Sequence, residues 1–156
     1  MKKLEGLQLR VPGPPVGKGR PRVVRNGGTV HAYTPEATRR WERKARKLMQ
    51  EAWGGQEPLD EPVLLEVYAV AARPKRLMRK SDPDERLPRT TKPDGDNVLK
   101  SAADAFVKAR VLRDDALIVE WRCLSLYAAK GERPRTEMSV RRWKTRGRRV
   151  EIIEPH

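Results

Sequence analysis

The stretch KPDGDNVLKSAADAFVKARVLRDDALIVEWRCLSLYAAKG, residues 92–131, decides how this chain folds. From its seventh residue, Val98, Leu99, Ala102, Ala103, Phe106 and Val107 recur three and four positions apart. That spacing lines one face of a helix, with Asp96 or Asn97 ahead of it as the N-cap. After Asp114-Asp115 the period changes to two, and a long strand is predicted. Leu117, Val119, Trp121, Cys123 and Tyr127 fall on one of its faces, and Ile118, Glu120, Arg122, Leu124 and Leu126 on the other.

The neighbouring segments supply the rest of a sheet and one more helix. Leu7, Leu9 and Val11 alternate with polar residues and predict a short strand ending at Pro12. Thr34-Pro35-Glu36 has the order N-cap, N1 proline, early acid. Ala37, Trp41, Ala45, Leu48, Met49 and Ala52 then keep helical spacing until Gly54-Gly55 stops the run. Residues 63–72, VLLEVYAVAA, read as a strand, and Thr136, Met138 and Val140 alternate as an antiparallel partner would. The expected architecture is a single small α/β domain, residues 1–143, with a mixed β-sheet and two main α-helices; residues 144–156 form a charged C-terminal tail. Residues 11–28 are expected to be an irregular basic loop. Residues 73–91, with three prolines and few apolar side chains, are expected to be mobile until a ligand orders them.

Thirty-five Lys and Arg against 21 Asp and Glu give a formal net charge of +14, so a polyanion is the expected partner and nucleic acid the leading one. A helix face carrying Arg39, Arg40, Arg43, Lys44, Arg46 and Lys47 is more often solvated than a binding surface. The single Cys123 excludes an internal disulfide, and with only His31 and His156 beside it no ordinary zinc site is expected. The opening MKKLEGLQLRV has no apolar core behind its lysines, and no stretch has membrane-spanning length, so a cytoplasmic location is expected.

Against this charge, five of the eight aspartates, Asp94, Asp96, Asp104, Asp114 and Asp115, lie between positions 94 and 115, mixed with Lys92, Lys100, Lys108, Arg110 and Arg113. Hard carboxylate oxygens beside cations suit a magnesium ion bound to a phosphate. If residues 93–96 are extended, Asp94 and Asp96 converge, with Gly95 leaving room between them, and Lys100 lies one helical turn after Asp96. At most one of Asp114 and Asp115 joins them if the pair opens a strand. Asp104 reads equally as the helix partner of Lys100 or as a ligand. An EF-hand is excluded because Ala105 stands where the twelfth-position glutamate belongs. The structural alternative is a Pro-Asp-Gly-Asp turn with a helix cap, followed by an Asp-Asp turn.

The stretch 92–131 resembles the core motif of the RusA family of Holliday junction resolvases, K-P-D-x-D-N-L-x-K, then D-A-L, then D-D-x-x-V. The earlier VPGPPVGKGRPR and the Tyr-Thr-Pro segment before a basic helix resemble it too. The resemblance implies a Mg²⁺-dependent endonuclease, with Mn²⁺ as a substitute, acting as a homodimer on branched DNA in recombination and repair in bacteria or their phages. It implies Asp94, Asp96 and Asp115 as metal ligands and catalytic acids, and Lys100 as the catalytic lysine. Gly95 stands where the family usually has a larger apolar residue. Lys18, Arg20, Arg22, Arg76, Arg79, Lys80 and Lys92 are the expected DNA contacts. The other readings are a non-catalytic basic nucleic-acid-binding protein and a related nuclease of flaps or forks.

Overall fold

A computed structural model describes residues 3–19 and 22–145. In chain order the elements are β1 (Gly6–Pro12), β2 (Arg22–Asn26), β3 (Thr29–Tyr33), α1 (Glu36–Trp53), β4 (Val63–Ala71), β5 (Leu87–Pro88), α2 (Gly95–Lys108), β6 (Ile118–Tyr127) and β7 (Arg135–Arg142). Short 3-10 turns occupy Lys75–Leu77 and Asp115–Leu117. The expected α/β domain with a mixed sheet and two helices is therefore the observed fold. The charged tail lies outside the described residues from position 146 onward.

Five strands form one sheet in the order β1-β7-β4-β6-β5. β4 and β6 run parallel, joined by the crossover through α2, while β1–β7, β4–β7 and β5–β6 are antiparallel. Both helices cover the same face. Leu7 and Val11 of β1, Val63, Leu65, Val67 and Ala69 of β4, and Met138 and Val140 of β7 alternate into one cluster. Trp41, Ala45, Met49 and Trp53 of α1 and Val98, Ala102 and Phe106 of α2 complete it. Fully burying a side chain such as Phe106 stabilises the fold by about 2–3 kcal/mol. The opposite face is mixed: Leu64 and Val70 are buried on it and Leu124 is exposed, while Arg122 pairs with Glu120 at 2.5 Å and with Glu66 at 3.7 Å.

Several local expectations are corrected. α1 begins one residue later than expected: Pro35 is the N-cap, its carbonyl accepting from Arg39 N at 3.1 Å, and Thr34 lies outside. The C-terminus is as expected. Gly54 takes the left-handed conformation (φ 69°) and its N–H donates to Gln50 O. α2 is capped by Asp94, not by Asp96 or Asn97, because the helical hydrogen bonds begin with Val98 N donating to Asp94 O at 3.1 Å.

Within the expected loop 11–28, residues 22–28 instead form the first strand and turn of a hairpin that residues 29–33 complete. β-branched Val23, Val24 and Val30 favour strand, and Gly27 and Gly28, at φ 58° and 84°, form the two-residue turn with left-handed geometry that suits strand twist. Its side chains are exposed throughout.

Residues 73–91 are tied down rather than awaiting a ligand. Arg73 donates to the carbonyls of Leu77 (2.8 Å) and Glu85 (3.1 Å) and also to that of Pro83. Lys130 Nζ holds the carbonyls of Arg79 (2.8 Å) and Asp82 (2.7 Å), and Arg86 bridges Glu132 and Glu137. Long cationic side chains here replace the missing apolar anchors by satisfying loop carbonyls, an interaction that a hydropathy pattern does not register.

β6 also departs from the expected alternation. Asp114-Asp115 belongs to the 3-10 turn, so the strand starts at Ile118. A register shift pairs Val63 with Ile118 and Leu64 with Glu120. Val119 is thereby the extra residue of a bulge. Ile118 joins the helix-covered face with Cys123, and Val119 is exposed.

Candidate active site

The segment leading to the acidic residues is fastened to β6 before it enters α2. Pro88 pairs with Leu126, and Arg89 N donates to Ser125 O at 3.0 Å. The Arg89 guanidinium then donates to the carbonyls of Thr91 and Pro93, and the Thr91 hydroxyl lies 3.3 Å from the Tyr127 hydroxyl. Gly95, the first helical residue, rests on the sheet. A Cβ there would lie 3.3 Å from Cys123 Sγ and 3.6 Å from Ser125 Oγ. That approach is tight, so a glycine at this position brings the start of α2 onto β6 rather than only spacing two carboxylates. Burial pushes the Cys123 thiol pKa up, in keeping with a packing role beneath Gly95.

A strap from the N-terminal loop crosses the same helix start. A Cβ on Gly17 would come within 3.0 Å of Pro93 Cβ and 3.2 Å of Asn97 Cβ, so only glycine passes here without displacement. Lys18 N donates to Asn97 O at 3.0 Å, and Lys18 Nζ reaches Asp104 Oδ2 at 2.7 Å. The hydrogen bond that Lys18 donates to Asp104 raises the Lys18 pKa, against partial desolvation, with the charges of Asp104, Asp115 and Glu42 adding to it.

Asp94, Asp96, Lys100 and Asp115 are all exposed. Asp94 makes no side-chain cap bond, and Lys100 Nζ lies 3.5 Å from Asp96 Oδ2. Asp104 pairs with Lys18, which is neither of its expected roles, while Lys100 pairs with Asp96 instead. The extended backbone expected over residues 93–96 is not what forms: Asp94 is extended as the N-cap, but Gly95 and Asp96 are already helical. Asp114 and Asp115 are separated in role by the 3-10 turn. Asp114 Oδ1 accepts from Ala116 N at 2.8 Å as its cap, while the Asp115 side chain has no hydrogen bond or ion pair among the described residues.

Asp94, Asp96 and Lys100 are thus brought to one helix start, and Asp115 lies within electrostatic range of the Lys18 strap across it. Among the described residues no three His, Cys, Asp or Glu side chains form a closed metal-binding group. The donor set still fits a hard divalent cation in kind: oxygen ligands only, on exposed carboxylates of which two are uncommitted to other partners.

Of the expected DNA contacts, Arg22, Arg76, Arg79, Lys80 and Lys92 are exposed, and Arg79 also approaches Asp82 at 4.0 Å. Lys18 is engaged by Asp104, and Arg20 lies outside the described residues. Sequence reasoning missed Gly17, Arg89 and Cys123 as supports of this site. An arginine five residues before an exposed acidic turn carries no local signal of burial.

These features define a basic α/β domain that presents hard oxygen donors and a lysine at one helix start, a class suited to phosphodiester chemistry on nucleic acid. The family described as endodeoxyribonuclease RusA matches residues 12–141, and the chain belongs to that family of DNA endonucleases associated with recombination. It is also similar to the uncharacterized protein YqaN of Bacillus subtilis (strain 168), 27% identical over 143 residues that cover 88% of this chain and 97% of that protein. Enzymes of the RusA type act on branched DNA and are generally dependent on a divalent metal. No described helix is long and apolar enough to cross a membrane.

Proposed function

We propose that this endonuclease resolves four-way DNA junctions by paired symmetric incisions in recombination and repair, using Mg²⁺ or Mn²⁺. The observation that carries the reading is the exposed Asp94-Gly95-Asp96 turn, with Lys100 one turn further along α2, in a chain of net charge +14. Asp94, Asp96 and Asp115 are the residues that would hold the metal, which would supply Lewis-acid activation of water and offset charge on the phosphate. Lys100 stabilises charge developing on the phosphoryl oxygens, a task that its pairing with Asp96 leaves open because both side chains face solvent. The N-terminus of α2, next to Asp96, adds a favourable field for a phosphate.

Paired symmetric incisions need two sites about a two-fold axis, which a homodimer supplies. One surface supports self-association. β5 covers β6 only at Leu126 and Tyr127, and the uncovered stretch exposes Val119, Trp121 and Leu124. An antiparallel alignment of two copies about Trp121 sets Glu120 opposite the partner subunit's Arg122, an opposite-charge pair in each direction.

The deciding experiment is Mg²⁺-dependent cleavage of a synthetic four-way junction beside flap and fork substrates, with Asp96→Asn as control. Paired nicks in opposed arms, abolished in the variant, support the reading. Preferential flap or fork cutting replaces the substrate class, and binding without metal-dependent cutting makes the protein a non-catalytic binder.

A further inference from the structure

We propose that Arg89 is the positioning residue of the acidic site, a buried guanidinium whose grip on the backbone before Asp94 sets how Asp94 and the first turn of α2 face the DNA. The proposal rests on the reading of Asp94 and Asp96 as metal ligands. Among the described residues Arg89 is the one buried charged side chain, at 5% exposure. It forms no ion pair there. Its Nη1 donates to Thr91 O, both Nη1 and Nη2 reach Pro93 O at 3.3 Å, and its buried Nε has no acceptor among the described residues. A buried cation without a carboxylate partner is strongly unfavourable, so its place in the fold calls for a compensating role.

The geometry supplies that role. Pro93 O belongs to the peptide that enters Asp94, and Asp94 O accepts the first bond of α2 from Val98 N. Arg89 therefore holds the peptide plane immediately ahead of the cap. Its own N–H is fixed to Ser125 O, and Gly95 at the far end of the segment packs on Cys123 and Ser125. Both ends of the segment thus meet at Ser125 of β6, with Cys123 beside it, and the guanidinium joins them from inside. The charge of Arg89 also acts on the Cys123 thiol beneath Gly95. A planar fork with five donors fixes the directions in which both carbonyls are held, whereas the three freely rotating donors of a lysine ammonium impose no such plane. Burial separates Arg89 from the exposed arginines expected to contact DNA.

Arg89→Met, which keeps length but removes donors and charge, and Arg89→Lys test the clamp. Amide hydrogen exchange without metal is expected to accelerate about tenfold or more at residues 94–98 in both variants, with α1 and β4 unchanged. The Mg²⁺ concentration for half-maximal junction cleavage is expected to rise about tenfold, as when a ligand loses its outer support, with part of the rate regained at saturating Mg²⁺. Junction affinity in EDTA should stay within about twofold. Wild-type exchange and Mg²⁺ dependence in Arg89→Met would overturn the proposal. A drop in EDTA affinity with a shallower salt slope would do so too, by making Arg89 a phosphate-binding group. If Arg89→Met does not fold, Arg89→Lys decides by the same criteria. If the wild-type protein cuts no branched DNA, the functional reading alone fails, and the exchange measurement still decides the clamp.

Discussion

Lys18 Nζ lies 2.7 Å from Asp104 Oδ2, so a residue of the N-terminal loop is locked midway along the helix that begins with the acidic turn. The ion pair assigns Asp104 to holding the strap rather than to metal. Asp104→Asn is expected to retain cleavage within about tenfold and to lower stability by less than about 1 kcal/mol, because the pair is half exposed and screened. Junction cleavage and thermal melting check both figures. A defect in cleavage as complete as that of Asp96→Asn would return Asp104 to the catalytic set.

Asp94→Asn, Asp96→Asn and Asp115→Asn are each expected to abolish cleavage while junction binding in EDTA stays equal or tightens, since a negative charge near phosphate is removed. Asp114→Asn differs in kind. Asparagine still caps, so cleavage should largely persist, whereas Asp114→Ala removes the acceptor for Ala116 N and costs about 1 kcal/mol of stability. Gel-shift assays in EDTA with melting curves separate these outcomes; failure of all three site variants to fold would make the carboxylates structural.

Lys100→Ala should lower turnover by about a hundredfold with little change in junction affinity, because its contribution grows as charge develops on the phosphate. Single-turnover cleavage at saturating enzyme is the measurement. Full recovery with more enzyme or less salt would mark Lys100 as an ordinary backbone-binding cation.

Junction binding is expected to weaken steeply with salt. Removing one phosphate-binding cation should flatten the log–log slope by about 0.9 on duplex arms, because one fewer phosphate is neutralised on binding. Neutralising Arg76, Arg79 and Lys80, or Arg22 on β2, is expected to do this, whereas Lys18→Met should do less because that charge is already paired with Asp104. The competing surface is α1, where Arg39 and Arg43 are held by Glu36 at 3.2 and 3.0 Å. A salt series on four-way and linear DNA distinguishes them: unchanged slopes in the loop variants, with a lower slope after neutralising Arg39, Arg43 and Lys47, would move the DNA path onto the helix.

The network fastening residues 73–91 to the sheet makes stability depend on acid. The Arg86 hydrogen bond, against partial burial, holds the Glu132 carboxyl at about 2. For Glu137 burial pushes upward, but Arg86 and Arg135 overcome it and the net direction is down. Carboxyls with depressed folded-state values stabilise the fold above the ordinary value near 4.5 and lose that contribution as pH falls from there toward 2. Glu132→Gln should therefore cost about 2 kcal/mol at neutral pH and flatten the acid limb of the stability curve. Urea unfolding between pH 2 and 7 tests this; an unchanged acid limb would show that Arg86 contributes little.

The sequence by itself determined the elements whose signal is periodic and local. Trp41, Ala45 and Met49 at helical spacing ended by Gly54, the β-branched run at 63–71, and the K-P-D-x-D-N motif needed no distant partner to be read. The hairpin at 22–33 was also encoded locally, in Asn26-Gly27-Gly28, but the surrounding prolines and charges obscured it. What only the tertiary structure decided was everything that depends on residues far apart in the chain meeting. Gly17 passes over Pro93 and Asn97, Lys18 reaches Asp104, Arg86 reaches Glu132, and the start of α2 settles on Cys123. Arg89 shows the limit from close range: its two carbonyl partners are only two and four residues away, yet its burial depends on β6 lying alongside. Long polar side chains have no periodic signature, and whether they face solvent or close a loop is set by packing against elements from elsewhere in the sequence.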